Sequence, residues 1–148
     1  MPTLTITKRH EWDMGHRLGK GYTSKCRHNH GHRYVAEMTF ECEALNSFDM
    51  VLDFGEIKSV CGAWIDEHID HATLVFVEDE TLLHFLEREC NRHFVVTFNT
   101  TVENIVVWLA KQLQEVLDRV EAFKKRGVTL IQLKVNETPN GWATWRKP

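Results

Sequence analysis

A ten-residue run of alternating character, residues 33–42, constrains the fold most. Every second residue is apolar or small, and the residues between are mostly polar or charged: the inward set is Tyr34, Ala36, Met38, Phe40 and Cys42. This period of two is typical of a β-strand with one buried face. Residues 3–11 alternate in the same way, with Leu4, Ile6 and His10 on one side. Both segments predict strands of a sheet that other elements must cover on one face.

Helical patterns follow the second strand. Asp53-Phe54-Gly55-Glu56 fits a capping box and predicts a helix over about 54–67, and residues 80–90 form a shorter amphipathic segment. Another capping pattern begins at Thr100 and precedes a long apolar stripe, which Gly127 should end. Residues 127–136 and 142–146 predict a terminal hairpin that turns at 139–141.

The order strand, strand, helices, strand, strand predicts an α+β domain spanning residues 1–148. We expect one four-stranded antiparallel sheet with helices on one face. Such a sheet has two open edges, so closure through oligomerisation is expected.

Charge and composition exclude several classes of partner. The chain has 148 residues, with 18 Lys and Arg against 21 Asp and Glu, a formal charge of −3, so neither nucleic acid nor an anionic membrane is the expected partner. There is no secretory signal pattern and no apolar run of roughly 18 residues, which favours a cytoplasmic protein. The four cysteines contain no CxxC pair and are expected to remain thiols.

Histidine is unusually frequent, with nine in the chain, and several lie close together. His30 and His32 are two residues apart at the start of the second strand, so both rings should project from the same face. His16 follows the first strand, and the neighbouring strand would bring it alongside. Three neutral imidazoles predict an open zinc site with its fourth position left to water or substrate. His28 is a weaker alternative to His30.

Cys26 lies in a polar loop between two cations, four residues before His30. Positive charge and a nearby metal would lower the pKa of a thiol there, which suits a nucleophile or base. Ligation of the metal, which would close the site, and an inert structural role remain open. Asp70-His71 fits a carboxylate that orients an imidazole for proton transfer, although such pairs also occur by chance.

Five cations cluster near these histidines and could attract a phosphorylated substrate or could simply face solvent: Arg17, Lys20, Lys25, Arg27 and Arg33. Glu103 fits the reciprocal partner of a Thr100 cap, and Glu137 fits an ordinary charge near a hairpin end. No dinucleotide or Walker motif is present, so no nicotinamide cofactor is indicated.

Taken together and in order, these segments resemble the 6-pyruvoyltetrahydropterin synthase and 6-carboxytetrahydropterin synthase family. The matching motifs span nearly the whole chain: Gly15-His16-Arg17-Leu18, Cys26-x-x-x-His30-Gly31-His32, Met50-Val51-x-Asp53-Phe54-x-x-Ile57-Lys58, Asp70-His71, Thr101-x-Glu103-Asn104 and Asn136-Glu137-Thr138. The spacing between Cys26 and His30 is similar to that of the bacterial 6-carboxytetrahydropterin synthases.

The resemblance implies a tunnelling fold, in which trimers close their sheets into a barrel and two trimers stack as a homohexamer with active sites between subunits. It implies that His16, His30 and His32 bind Zn²⁺ and that Cys26 is the general base. Asp70 and His71 would form a catalytic dyad. Glu137 would anchor the pterin, and Thr101 and Glu103 would line its pocket.

The implied reaction is a lyase reaction of queuosine and 7-deazapurine precursor synthesis. It converts 7,8-dihydroneopterin triphosphate into 6-carboxy-5,6,7,8-tetrahydropterin, acetaldehyde and triphosphate. Hydrogen would shift from the side chain to the ring, so no redox cofactor is required. Two alternatives remain: pyruvoyl chemistry on the same substrate, and a non-catalytic zinc-stabilised binding module in which Cys26 completes a closed site.

Overall fold

The computed structural model describes residues 3–19 and 21–148. Within these ranges, six strands form one mixed sheet in the order β4-β3-β1-β2-β5-β6. Strands β1, β2, β5 and β6 pair antiparallel, whereas β3 runs parallel to both β1 and β4. The bounds are β1 Ile6–His16, β2 His30–Glu41, β3 Ala72–Phe76, β4 His93–Val96, β5 Thr129–Thr138 and β6 Gly141–Arg146.

The prediction of four antiparallel strands was therefore wrong in number and direction, although the four predicted strands are present. The two additional strands, β3 and β4, are apolar runs of five and four residues, too short for their sequence period to identify. The first strand also continues past residue 11 and includes His16, which was expected to follow it. Continuous pairing from Ile6 with Phe40 to His16 with His30 keeps this glycine-containing segment extended.

The helices lie mainly between β2 and β5. Helix α1 (Phe54–Ile57), a π-helical turn (Lys58–Gly62) and α2 (Ala63–His68) form one continuous helical run, followed by α3 (Glu80–Arg88), α4 (Val102–Asp118) and α5 (Glu121–Lys125). The Asp53 capping box is confirmed, because the Asp53 side chain accepts from the Gly55 N–H and Glu56 accepts from the Asp53 N–H. Thr101, not Thr100, caps α4, and its hydroxyl accepts from the Asn104 N–H.

The core lies between the sheet and the helices. Trp12, Tyr34, Met38 and Phe40 are almost completely buried on the covered face of the sheet. They belong to the same apolar cluster as the α4 stripe, which includes Ile105, Leu109, Leu113 and Leu117. Burial of this stripe explains why the sequence period of α4 was readable.

The helical run that begins at Phe54 approaches β1 closely at one point. A Cβ atom added to Gly62 would lie 2.9 Å from two ring atoms of His10. The His10 ring is held by Asp66, whose carboxylate lies 2.8 Å from Nε2. Glycine at position 62 therefore permits this packing. Within the described ranges, no helix combines the length and the apolar character needed to cross a membrane.

Candidate metal centre and proton-transfer dyad

Strands β1 and β2 bring three histidines together at the end of their hairpin. His16 pairs with His30, and His32 pairs with Met14, which places all three rings on the same face. The ring centroids are 4.7 Å apart for His16 and His30, 5.3 Å for His16 and His32, and 4.8 Å for His30 and His32. Residues separated by about 14 positions in sequence thus converge because the hairpin is in register.

Backbone carbonyls orient two of the rings. His16 Nδ1 lies 2.8 Å from the Thr100 carbonyl oxygen, and His30 Nδ1 lies 2.6 Å from the His28 carbonyl oxygen. A carbonyl only accepts, so in both rings Nδ1 carries the proton and Nε2 keeps its lone pair. This outer hydrogen bond is typical of metal-ligating histidine. The Nε2 atoms of His16, His30 and His32 are buried and have no hydrogen-bond partner among the described residues.

Glu137 is the fourth donor in this cluster. Its Oε1 atom lies 2.9 Å from His32 Nε2 and 3.5 Å from His16 Nε2. The pairing of β5 with β6 shifts register between Asn136 and Thr138, so Glu137 is a bulge residue. Bulges re-aim side chains near active sites. Contact with the His16 ring lowers the pKa of Glu137; burial opposes this shift, and the remaining histidine charges add to it.

The donor set fits a zinc ion. Nε2 of the three histidines and a carboxylate oxygen of Glu137 all lie within 4.8 Å of one another. Three imidazoles with a carboxylate or water are a common ligand set for zinc. Burial lowers the pKa of His32, although the negative charge of Glu137 opposes this shift. The lowered pKa favours the neutral ring that a metal requires.

Cys26 lies outside this donor cluster. It belongs to a single 3₁₀ turn, Lys25–Arg27, whose preceding Ser24 side chain accepts from the Cys26 N–H. The Leu18 N–H donates to the Cys26 carbonyl at 2.9 Å, which folds this loop against the end of β1. The thiol is half-buried. Glu137, and not Cys26, is the fourth donor beside the histidines.

Asp70 and His71 form the predicted pair at the start of β3. His71 Nδ1 lies 3.0 Å from Asp70 Oδ1, and the same oxygen accepts from the Asp13 N–H at 3.0 Å. The His71 N–H donates to the Asp13 carbonyl at 2.7 Å. The pKa of Asp70 is lowered. Burial alone would raise it, but the hydrogen bonds from the Asp13 N–H and from His71 outweigh burial. Asp70 is thereby held ionised beside the imidazole.

The backbone at His71 is in the left-handed region, with φ of 57°. A non-glycine residue in that region carries strain, and such residues cluster at functional sites. The two hydrogen bonds to the Asp13 backbone hold this conformation. Asp13 also places its carboxylate 4.0 Å from His71 Nε2 and 2.9 Å from Arg33.

The histidine cluster and the dyad lie on opposite faces of the sheet. His16 is buried on the helix-covered face, and side chains alternate along β1, so Asp13 projects from the other face. The carboxylates of Asp13 and Asp70 with the His71 ring form a second donor cluster, separate from that of the histidines. One copy of the chain therefore does not bring all the predicted catalytic residues together on one face.

The remaining predicted residues have mixed placements. Thr101 is the half-buried α4 cap, and Glu103 is exposed in the first turn of that helix. Arg17 is paired through two hydrogen bonds with Asp79, at 2.7 and 2.6 Å, and this carboxylate raises the pKa of Arg17. Lys20 lies outside the described residues.

A cavity of about 500 Å³ adjoins the Arg17 pair and is also lined by Tyr22, Thr23 and Arg27. Arg33 pairs with Asp13 and Glu11 on the open face of the sheet. Arg17 and Arg27 therefore adjoin one cavity, whereas Arg33 lies elsewhere, and Arg17 and Arg33 both have acidic partners.

Three functional contacts were missed from the sequence. Thr100 accepts from His16 through its carbonyl, Asp13 holds both members of the dyad, and Tyr34 lies edge-on to His32 with ring centroids 5.5 Å apart. The Tyr34 hydroxyl is buried without a hydrogen-bond partner among the described residues, and burial raises its pKa. Sequence alternation with His32 indicated the position of Tyr34; the other two contacts depend on backbone atoms and carry no sequence signal.

Comparison with known proteins gives a consistent result. The sequence model of the 6-pyruvoyl tetrahydropterin synthase family matches residues 5–148. The 6-carboxy-5,6,7,8-tetrahydropterin synthase of Rickettsia felis is 35% identical over 138 residues, covering 93% of this chain and 96% of that protein. The enzyme of the same name from Rickettsia bellii is 33% identical with the same coverage.

Solved structures share the fold. An uncharacterized protein from Wolinella succinogenes superposes with a TM-score of 0.81 at 23% identity, covering 100% of both chains. The 6-pyruvoyl tetrahydropterin synthase of Caenorhabditis elegans gives a TM-score of 0.69 at 21% identity, covering 100% of this chain and 98% of that one.

Proposed function

Since this chain belongs to the 6-pyruvoyl tetrahydropterin synthase family, we propose that it is a 6-carboxy-5,6,7,8-tetrahydropterin synthase. Its substrate is 7,8-dihydroneopterin triphosphate, and its products are 6-carboxy-5,6,7,8-tetrahydropterin, acetaldehyde and triphosphate, in queuosine and 7-deazapurine precursor synthesis. The proposal is supported by relatives of that name that are 33% and 35% identical over 93% of the chain.

The single observation that carries the proposal is the set of three buried Nε2 atoms that lack hydrogen-bond partners among the described residues and lie beside an acidic side chain. His16, His30 and His32 would hold Zn²⁺ there. When bound, the ion supplies Lewis-acid polarisation of substrate oxygens and stabilises developing negative charge. The Thr100 and His28 carbonyls fix the two Nδ1 protons, so that His16 and His30 present their lone pairs.

Glu137 is proposed to anchor the pterin. A carboxylate matches the two adjacent donors of the 2-amino group and N3–H, and its lowered pKa keeps it ionised for this contact. Thr101 and Glu103 are proposed to contribute to the same pocket. Glu103 is exposed. Because Thr101 is the cap, the third helical position is Asn104 and not Glu103, so Glu103 has no capping role.

Proton transfer is assigned to Cys26 and the dyad. The Cys26 thiolate would accept the side-chain proton of the substrate, and His71 Nε2 would exchange a proton on the opposite side. Asp70 accepts from His71 Nδ1–H and so leaves Nε2 as the reactive nitrogen. Because the dyad and the histidines lie on opposite faces of the sheet, we assign the dyad to the site of a neighbouring copy.

This assignment agrees with the predicted assembly of two stacked trimers with sites between subunits. Subunit contacts would also complete a site that one chain leaves open. The alternative of a closed structural zinc site requires Cys26 as the fourth ligand, and the observed donor set favours Glu137 in that position.

The test is incubation of the zinc-loaded protein with 7,8-dihydroneopterin triphosphate, with and without a chelator, followed by product identification. We expect 6-carboxytetrahydropterin and stoichiometric acetaldehyde, both abolished by the chelator. A pyruvoyl product without acetaldehyde would instead assign the protein to the other chemistry of the family. No turnover of any pterin would contradict an enzymatic role.

A variant separates catalysis from metal binding. Cys26→Ala should retain zinc and lose turnover, whereas Cys90→Ala, which changes an exposed free cysteine elsewhere, should retain both. Loss of zinc from Cys26→Ala would support the structural alternative.

A further inference from the structure

The position of Glu137 raises a question that the anchor role alone does not answer. An anchor for the far edge of a pterin ring has no need to touch the histidines. In the structure, however, its Oε1 atom lies 2.9 Å from His32 Nε2 and 3.5 Å from His16 Nε2. The Glu137 carboxylate is thus at the histidine cluster itself.

These distances match the edges of a zinc coordination tetrahedron. Zinc–nitrogen and zinc–oxygen bonds of about 2.1 Å place neighbouring ligand atoms about 3.4 Å apart. The two Glu137 distances lie on either side of that value. The Nε2 atoms of His16 and His32 are buried and have no hydrogen-bond partner among the described residues. A metal ion bound among these four side chains would give the buried Nε2 atoms a partner.

The backbone supports the same position. Leu133 and Val135 are buried on the covered face of β5, so alternation continues that face to Glu137. The bulge between Asn136 and Thr138 leaves Glu137 without a paired residue in β6. Its side chain is 22% exposed, which leaves it room to turn outward.

We propose that Glu137 is the fourth zinc ligand of the substrate-free protein and is released from that position when its carboxylate binds the pterin ring. This proposal rests on the proposed function. The site is then closed at rest and opens a coordination position only after the ring has been recognised. Recognition of the ring and exposure of the metal would be one event, because the same carboxylate performs both. A molecule with suitable oxygens but without a pterin ring would not displace it.

The first measurement is zinc affinity of the purified protein, determined by competition with a chromophoric chelator. Glu137→Gln should bind zinc at least about tenfold more weakly than the wild type, as expected for a ligand or an essential partner of one. The matched control is Glu37→Gln, which removes one negative charge from β2 where Glu37 pairs with Lys134. Affinity of Glu137→Gln within twofold of both other proteins would overturn the proposal.

The second measurement requires only the wild type. Unsubstituted pterin carries the ring but no side-chain oxygens, so it competes for Glu137 without replacing it at the metal. Saturating pterin should weaken zinc binding several-fold, and zinc should weaken pterin binding by the same factor, as linkage requires. Independent binding of zinc and pterin would overturn the exchange.

These outcomes are separable from failure of the proposed function. Failure of pterin to bind the zinc-free or the zinc-loaded protein would refute both the pterin assignment and the exchange, while the zinc affinity of Glu137→Gln would still decide whether Glu137 is a ligand. Thermal unfolding of the zinc-free variants checks the fold, and we expect similar midpoints for Glu137→Gln and Glu37→Gln. If Glu137→Gln unfolds, Glu137→Asp replaces it, with the shorter carboxylate expected to weaken zinc binding.

Discussion

The placement of the dyad on the open face of the sheet leads to a quantitative prediction about mixed assemblies. Cys26→Ala removes the proposed base, and His71→Gln removes the ring of the dyad. Each variant alone should have turnover near background. The dyad adjoins Asp13, which projects from the opposite face of β1 to His16.

The expected recovery follows from how a site is shared. If each site takes Cys26 from one copy and His71 from its neighbour, random assembly of equal amounts gives an intact Cys26 in half of the sites. Half of those receive an intact His71. About one quarter of the sites, and of the wild-type turnover, should therefore be recovered in closed cyclic assemblies.

The assay uses co-expression of the two variants at equal levels, followed by measurement of acetaldehyde release per subunit. Mixing the two proteins after separate purification, without subunit exchange, is the control and should stay near background. Co-assembled variants with no recovery would refute the shared site, because a site built within one chain always contains one defect in such mixtures.

Two further predictions concern stability. Gly62→Ala should destabilise the protein by about 1–2 kcal/mol in urea unfolding, since overpacking against the His10 ring outweighs the gain in helix propensity; in a His10→Ala background the same change should become neutral or stabilising, and an unchanged cost there would contradict the steric cause. The lowered pKa of Asp70 means that its stabilising contribution is present above its unfolded value of about 3.9 and is lost as the pH falls through the folded value. Asp70→Asn should therefore be less stable than wild type near neutral pH and should approach it in urea midpoint in acid, whereas a difference that is constant with pH would contradict this reasoning.

Much of the fold was predictable where one residue pattern determines one structure. The alternation around Met38 identified β2, the Asp53 capping box located the start of α1, and the apolar stripe of α4 identified the longest helix. In each case local preference and burial agree, so the sequence signal persists in the structure. The convergence of the three histidines was predictable for the same reason, since the period of two placed His30 and His32 on one face.

The features that the sequence did not predict depend on contacts between distant segments. Strands β3 and β4 are parallel pairs made by short runs that local preference does not distinguish from loop or helix. The one-residue difference between Thr100 and Thr101 arises because the Thr100 hydroxyl donates to the Arg17 carbonyl, a contact 83 residues away in sequence. The contacts that hold the dyad are hydrogen bonds of the Asp13 backbone. Any residue type has these backbone groups, so the sequence does not indicate such contacts.

Gly15 pairs with Gly31 and lies in β1 between His16 of the histidine cluster and Asp13, which contacts the dyad. If the two sites adjoining β1 belong to different reaction centres, this strand is common to both. A bulky substitution at Gly15, whose Cβ would already lie 3.4 Å from the His30 carbonyl oxygen, would then impair two centres for each defective copy. One such copy in a three-membered ring would leave only about one centre in three intact.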